Sequence, residues 1–393
     1  MTMAAAMQSR TAEAPARSTA SRIAHVDIVT DLGEAEAAWR AFEESGHLFT
    51  PYQRFDLLGP WQQLVGTCEG ASPFIVIARD AEHRPLLLLP LSLRQGHGVR
   101  TACFMGGKHT TFNMGLWNAE FAAQAVLADL DVLLEPLREH VDVLSLTQQP
   151  MRWHDQQNPF ALLPRQGSIN GCPVLAMEPD GPPASRISNS FRRRLKSKEK
   201  KLQALAGYRY HLASADADIV RLLDWFFRVK PARMAEQKLP NVFADPGVEQ
   251  FIRSACLSRR GDGRVIDIHA LECDEEVIAI FAGVADGQRF SMMFNTYTMS
   301  EHARYSPGLI LMRYIIDCCA EHGYRSLDLG IGSDDYKRMF CKDDEDIFDS
   351  FVPLNSRGKL AAMAMSSLNR GKRLVKQNQM LFDLARRLRQ AFG

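Results

Sequence analysis

The densest run of chemistry-capable side chains in the 393-residue chain is Ser326–Phe340, SLDLGIGSDDYKRMF. Its first half, Leu327-Asp-Leu-Gly-Ile-Gly332, has the form of a glycine loop that follows a strand and cradles S-adenosylmethionine or a dinucleotide. Its second half puts Tyr336, Lys337 and Phe340 where such a loop should open a phosphate- or ribose-binding helix. The nucleotide reading runs short of chain: only 63 residues follow Gly330 in the 393, and half of them form a basic tail. No acid closes a second strand about 20 residues further on, as a dinucleotide fingerprint requires.

Two other stretches carry candidate chemistry. GGKHTTFN (106–113) offers His109 as a general base or acceptor contact and Asn113 as an acceptor contact. SRISNSFRRRLKSKEKKLQAL (185–205) holds eight basic residues and one acid, Glu199, between Arg186 and Lys201. Arginine forks such as Arg193 and Arg194 suit an anionic substrate; a solvated helix face is the alternative. Nucleic-acid binding would ask for interleaved aromatics, and only Phe191 is present. The eight cysteines show no C-x-x-C spacing, so reduced thiols and no metal are expected.

These residues need a scaffold. Tyr208–Ala213 reads as a strand, 216–238 and 245–259 as amphipathic helices, and 264–272, 276–284 and 289–298 as an antiparallel meander with short polar turns. Gly308–His322 is apolar nearly all round, so it is a buried helix, closed by Gly323 as a left-handed cap. Strand, helix, strand is a crossover, which makes 289–298 and 325–330 parallel neighbours. The strand 346–352 closes the set. Residues 23–178 repeat the order with strands 24–29, a meander from Phe74 to Gly106, a helix over 119–139, a strand over 141–147 and a last strand over 172–177. The expected organisation is a tail (1–22), an N-terminal domain (23–180), a second domain (181–355) opening with the basic helix 186–205, and a basic helical tail (356–393). In that tail Lys359, Arg370, Lys372, Arg373, Lys376, Arg386, Arg387 and Arg389 stand against one acid, Asp383; it fits an ordinary packing helix or contact with anionic lipid.

Lys+Arg 47 against Asp+Glu 46 gives no global charge to argue from, and 46% hydrophobic residues suffice for sizeable cores. No signal-peptide core and no membrane-length apolar run occur, which reads as a cytoplasmic protein.

The element order resembles the GNAT acyltransferase fold, an α/β architecture of mixed sheets whose fourth and fifth strands splay apart, here in tandem duplicate. The resemblance implies that an acyl donor, acyl-CoA, lies in the splay. Backbone N–H groups of 294–297 (Asn295, Thr296, Tyr297) would polarise its carbonyl. The turn Arg304-Tyr305-Ser306-Pro307-Gly308 would seat its pyrophosphate at a helix N-terminus. The closer resemblance is to CelD-like acyltransferases associated with cellulose and exopolysaccharide synthesis, and behind them Fem-type aminoacyl transferases. It is carried by TPYQRFDLLGPWQQL (50–64), LLLLPLSL (86–93), GGKHTTFNMGLW (106–117), FRRRLKSKEKKL (191–202), ARMAEQKLPNVFAD (232–245), YSPGLILM (305–312) and LDLGIGSDDYKRMF (327–340). By that resemblance Tyr336-Lys337-x-x-Phe340 is the aromatic-Lys-x-x-Phe element, with Lys337 stabilising the oxyanion and Tyr336 reprotonating the leaving thiolate. Asp328 would hold Lys337, face the donor, or simply be a satisfied strand-end carboxylate. Asp335 or Asp334 would activate an acceptor amine or hydroxyl. The implied reaction is acyl transfer to an amine or hydroxyl of a saccharide-type or other small acceptor. The alternatives are a non-catalytic accessory protein of polysaccharide assembly and an aminoacyl-tRNA-dependent transferase.

Overall fold

The computed structural model describes residues 20–377 apart from 45, 179, 180, 262 and 333. One element order is run through twice. The first pass is β1 (His25–Val29), α1 (Leu32–Phe42), α2 (Phe55–Trp61), β2 (Ser72–Arg79), β3 (Pro85–Gly96), β4 (Val99–Phe104), α3 (Ala119–Gln124), α4 (Leu127–Leu134) and β5 (Val143–Pro150). Short β6 (Gln166–Gly167) and β7 (Cys172–Ala176) lead into the second pass. It comprises α5 (Asn189–Leu202), β8 (Arg209–Leu212), α6 (Asp216–Glu236), α7 (Val248–Leu257), β9 (Asp267–Glu272), β10 (Val277–Ala285), β11 (Arg289–Tyr297), α8 (Pro307–Glu321) and β12 (Ser326–Asp328). The chain then makes α9 (Asp335–Arg338), β13 (Asp343–Glu345), β14 (Ile347–Pro353) and α10 (Ser356–Gln377).

Local rules account for most of these elements. Asp31 caps α1 by accepting from the Glu34 N–H at 3.0 Å, and Leu32, Ala35, Trp39 and Phe42 bury one stripe. Ser188 caps the basic helix α5 through the Phe191 N–H. The apolar girth of α8 is buried along most of its length, and Gly323 ends it at φ +77°. The single helix expected over 119–139 is divided. Asn118 caps α3, and the Asp129 carboxylate turns back to the Val126 N–H at 3.0 Å to start α4.

Each pass builds a sheet in which a meander is followed by a parallel crossover partner: β4 pairs with β5, and β11 with β12. The two closing strands depart from the sequence expectation. β7 lies in the second sheet, between β12 and β13; β14 lies in the first, between β5 and β6. Each pass therefore lends its last strand to the other. The crossings are short: Asp346 alone separates β13 from β14, and Ser168–Gly171 separates β6 from β7. Alternating apolar residues dictate that a strand has a partner, not which edge supplies it.

The seam is a continuous packed interior. One hydrophobic cluster runs from Trp39, Trp61, Trp117 and Trp153 into Phe226, Phe251, Ile266 and Phe294; a second fills the space between α5, α8 and the other face of the second sheet. Arg289 is 6% exposed. It pairs with Asp328 (3.0 Å) and Glu345 (2.7 Å), with its guanidinium over the rings of Phe112 (4.6 Å) and Trp153 (4.9 Å). Of the expected tails, residues 1–19 and 378–393, with Asp383, Arg386, Arg387 and Arg389, lie outside the described residues.

Candidate active site

The parallel pair β11/β12 is bonded over three residues only, Arg289↔Ser326, Phe290↔Leu327 and Ser291↔Asp328. Beyond Ser291 the two strands separate. On its other edge β11 stays paired with β10 as far as Tyr297, with Phe294 opposite Ala282 and Met292 opposite Gly283, so Met293 is an extra, bulged residue. The Thr298 N–H reaches Ile278 O at 2.8 Å. By two-residue alternation the Thr296 amide also turns toward β10, whereas the amides of Asn295 and Tyr297 face the open edge. Of the three residues expected to offer N–H groups to the gap, Thr296 is therefore spent within the sheet, and its buried Oγ1 has no hydrogen-bond partner.

The other wall of the gap is the turn after β12, and it resolves the two readings of Ser326–Phe340. Gly330 (φ +72°) and Gly332 (φ +113°) take left-handed conformations. A Cβ on Gly330 would stand 3.2 Å from Met292 O, so only glycine lets the turn lie against β11. Three amides of this turn are already used. Leu329 N–H donates to Pro173 O (3.2 Å), Gly330 N–H to Asp328 Oδ1 (3.1 Å) and Gly332 N–H to Gly171 O (3.2 Å). Its carbonyls point instead to an ammonium: Lys337 Nζ donates to Gly330 O at 3.1 Å and Ile331 O at 2.9 Å. A phosphate-cradling loop has the opposite polarity, with N–H groups turned to the ligand. The glycines serve Lys337.

Lys337 is 3% exposed, and burial lowers its pKa, Asp334 at 3.7 Å opposing the shift. Two of its three hydrogens are engaged by the turn. Tyr336 is raised in pKa by burial, with the neighbouring Asn295 side chain opposing the shift across the gap. Asp335 is exposed in the first turn of α9. Asp328 bonds Arg289, Ser291 and Cys172 and has no hydrogen bond to Lys337; it is a sealed strand-end carboxylate.

At the outer end of the gap Ser306, left-handed at φ 58°, begins α8. Pro307 has no N–H and Leu309 donates to Ser306 O, so the Gly308 N–H is the open amide of this turn. Gly308 is half-buried, and a Cβ there would meet Tyr297 and Phe281 at ordinary contact, 3.6 and 3.8 Å. Lys198 Nζ donates to Ser306 Oγ at 2.7 Å. Arg304 is exposed and bonds the Tyr305 hydroxyl at 2.8 Å. Along α5, Arg192 is taken by Asp317, and Glu199 by Arg313 and two tyrosines, while Arg193 and Arg194 stay exposed. Sequence reasoning missed Lys198, one cation among eight, and two residues of α6. Arg233 stacks 3.5 Å over the Tyr297 ring, and Lys230 beside it is half-buried with a lowered pKa. Arg233 lies in the ARMAEQKLPNVFAD stretch, which was the available signal.

The 106–113 loop of the first pass approaches this turn from the other side: Thr111 Oγ1 is the near neighbour of Gly330. His109 does not present a base. The Trp61 indole N–H donates to its Nδ1 at 3.1 Å, so the hydrogen sits on Nε2 and the ring has no free lone pair. Burial brings its pKa down to about 4, and Phe251 packs edge-on against it. Asn113 ties the loop to β5, donating to Thr147 O at 3.1 Å and accepting from Thr110. Behind the turn lies a cavity of about 190 Å3 whose lining includes Ile331, Thr147, Gln148, Ser168, Asn170 and Asp349. Elsewhere, His211, Asp218 and Glu272 bring ligand atoms together, but Arg209 and Arg221 already hold Glu272, and a metal would have to displace both.

Comparison with known proteins agrees with this geometry. Residues 189–338 match the acetyltransferase (GNAT) domain family. That span contains the bulged strand, the α8 N-terminus and Lys337. Among solved structures, FemX matches at TM-score 0.54 and 9% identity, over 80% of this chain and 96% of that one. The C-terminal domain (DUF2156) of a putative lysylphosphatidylglycerol synthetase from Agrobacterium fabrum matches at TM-score 0.51 and 11% identity, over 86% and 95%. A conserved protein of unknown function from Bacteroides thetaiotaomicron matches at TM-score 0.50 and 11% identity, over 84% and 100%. At such identities the likeness is one of fold, a mixed α/β GNAT-like architecture in tandem. A search by sequence among curated proteins finds no match.

Proposed function

We propose that this protein is an acyltransferase that moves an acyl group from a thioester, acyl-CoA, to an amine or hydroxyl of a small acceptor. The observation carrying the reading is the opening of β11 from β12 past Ser291, with the amides of Asn295 and Tyr297 facing a gap that ends at the N-terminus of α8. A thioester carbonyl laid along β11 meets those amides as its charge develops. The Gly308 amide, Lys198 and Arg304 seat the pyrophosphate. The acceptor nitrogen or oxygen bonds to the acyl carbon as the C–S bond breaks and gives up its proton to the exposed Asp335 carboxylate, while Tyr336 donates its proton to the leaving thiolate and regains one from solvent. Lys337, fixed by the carbonyls of Gly330 and Ile331, keeps a positive charge beside the oxyanion.

In this reading the second pass (181–355) binds the donor and the first (23–180) shapes the acceptor side. The cavity behind Ile331, lined from both passes by hydroxyls, amides, isoleucines and one carboxylate, would take a neutral or amino sugar in this reading. A saccharide acceptor and a place in exopolysaccharide or envelope synthesis follow the CelD-like resemblance. The exposed cations of α5, joined to the α8 N-terminus through Lys198, favour a second reading in which an aminoacyl-tRNA is the donor.

The test is thiol release from acetyl-CoA and longer acyl-CoAs over a panel of amines and amino sugars, with calorimetry for donor binding. Acyl-CoA binding and acceptor-dependent thiol release support the first reading. Activity only with aminoacyl-tRNA, abolished by ribonuclease, supports the second. Binding of neither donor overturns both and leaves an accessory protein.

A further inference from the structure

The C-terminal helix α10 is half a docked helix. Its inner side holds the protein: Asn369 donates to Asp349 at 2.9 Å, Ser366 to Gln166 at 2.6 Å, and Gly358 packs so closely that a Cβ would fall 1.7 Å from Asp142 O. Its outer side carries large apolar side chains, with Ser356, Arg357 and Ser367 among them. Leu360 (73% exposed), Met363 (67%), Leu374 (63%) and Leu368 (58%) are the four most exposed large apolar side chains among the described residues. At 100° per residue they share an arc of roughly 140°. Lys359 and Arg370 border that arc on one side and Lys372 on the other. Within Ser356–Gln377 there are six cations and no acid.

We infer that α10 lies on an anionic lipid bilayer, its leucines and Met363 in the acyl-headgroup boundary and its bordering cations among lipid phosphates. An apolar arc rimmed by positive charge is the pattern of an interfacial helix. A second copy of this chain is the poorer occupant, because pairing two such faces brings their Lys359, Arg370 and Lys372 side chains together with no acid between. Among the described residues no helix is long and apolar enough to cross a membrane, so the contact is with the surface.

The full-length protein is sedimented with phosphatidylcholine vesicles and with vesicles also containing phosphatidylglycerol. Binding to the mixed vesicles alone is expected, weakening as salt is raised. Leu360→Ser, Met363→Ser and Leu374→Ser combined should lower that affinity at least about tenfold, and so should Lys359→Glu with Lys372→Glu. These positions are exposed, so thermal unfolding should be unchanged. No binding by the wild type, equal binding to both vesicle types, or an apolar triple variant that binds like the wild type would overturn the inference. So would a wild-type dimer in sedimentation equilibrium that the triple variant abolishes, since the face would then belong to a second copy.

Discussion

Replacing Lys337 with methionine keeps the aliphatic stem and deletes the ammonium. The structure sets two separate magnitudes. For stability, the carbonyls of Gly330 and Ile331 lose donors at 3.1 and 2.9 Å in a buried turn. Each unsatisfied carbonyl costs about 1–3 kcal/mol. Removing a charge whose burial is unfavourable, as the lowered pKa shows, offsets part of this. A net loss of roughly 1–3 kcal/mol is expected, small enough for the protein to remain folded at 25 °C. For catalysis, loss of a preorganised positive charge beside an oxyanion lowers kcat about 100- to 1000-fold. Single-turnover acyl transfer at saturating acyl-CoA, beside urea unfolding, separates the two. The pH profile adds an independent reading. The folded pKa lies below 10.5, so the ammonium, and with it activity, is lost as pH rises through the lowered value. The same group contributes stability that increases with pH between its folded and unfolded pKa values, because the unfolded state there binds more protons. A methionine variant that unfolds earlier yet keeps kcat within a factor of two and the same alkaline limb would refute a catalytic Lys337 and leave it a turn-closing residue.

Other substitutions probe the frame around the gap. Gly330→Ala forces a Cβ into left-handed backbone 3.2 Å from Met292 O; a loss of about 1–2 kcal/mol is expected, with a larger fall in acyl-CoA affinity than in melting temperature. Arg289→Met strands Asp328 and Glu345 in the seam and should cost about 3–5 kcal/mol in denaturant titration, whereas Asp328→Asn with Arg289→Met should recover part of it. His269 is buried and neutral, its pKa taken from 6.5 down to about 3, so the stability it contributes is complete above pH 6.5 and lost as pH falls toward 3, with a slope of up to about 1.4 kcal/mol per pH unit. A His269→Gln variant should show a shallower acid limb of unfolding free energy than the wild type; an identical limb would contradict the assignment.

The sequence exposed the parts whose signal is local. A helix apolar on every side had to be buried, a strand-helix-strand order had to give a parallel pair, and Gly323 ends its helix as its chemistry demands. What stayed hidden depends on a remote partner. Asp328 reads as a partner of Lys337, a donor contact or a satisfied strand-end carboxylate until Arg289, 39 residues away, is seen to neutralise it. Met293 looks like any strand residue, since a bulge is a mismatch in register between two strands. His109 reads as a base until an indole 48 residues away claims its lone pair. The polarity of the glycine turn was likewise invisible: glycines declare an unusual backbone, but only packing decides whether amides or carbonyls face the ligand side.

The exchange of closing strands gives the two-pass design its mechanical sense. β7 is bonded to β12 through Val174↔Asp328, at the point where β12 leaves β11. The amides of Leu329 and Gly332 then follow the β7 side, to Pro173 O and Gly171 O, instead of continuing along β11. The turn that walls the gap is therefore anchored by hydrogen bonds to the strand from the first pass. Arg289 fastens the same junction, joined to Asp328 below and lying over Phe112 and Trp153 of the first pass. Without the exchanged strand the turn after β12 would lose the Pro173 and Gly171 acceptors, so the exchange makes that wall of the opening part of the fold.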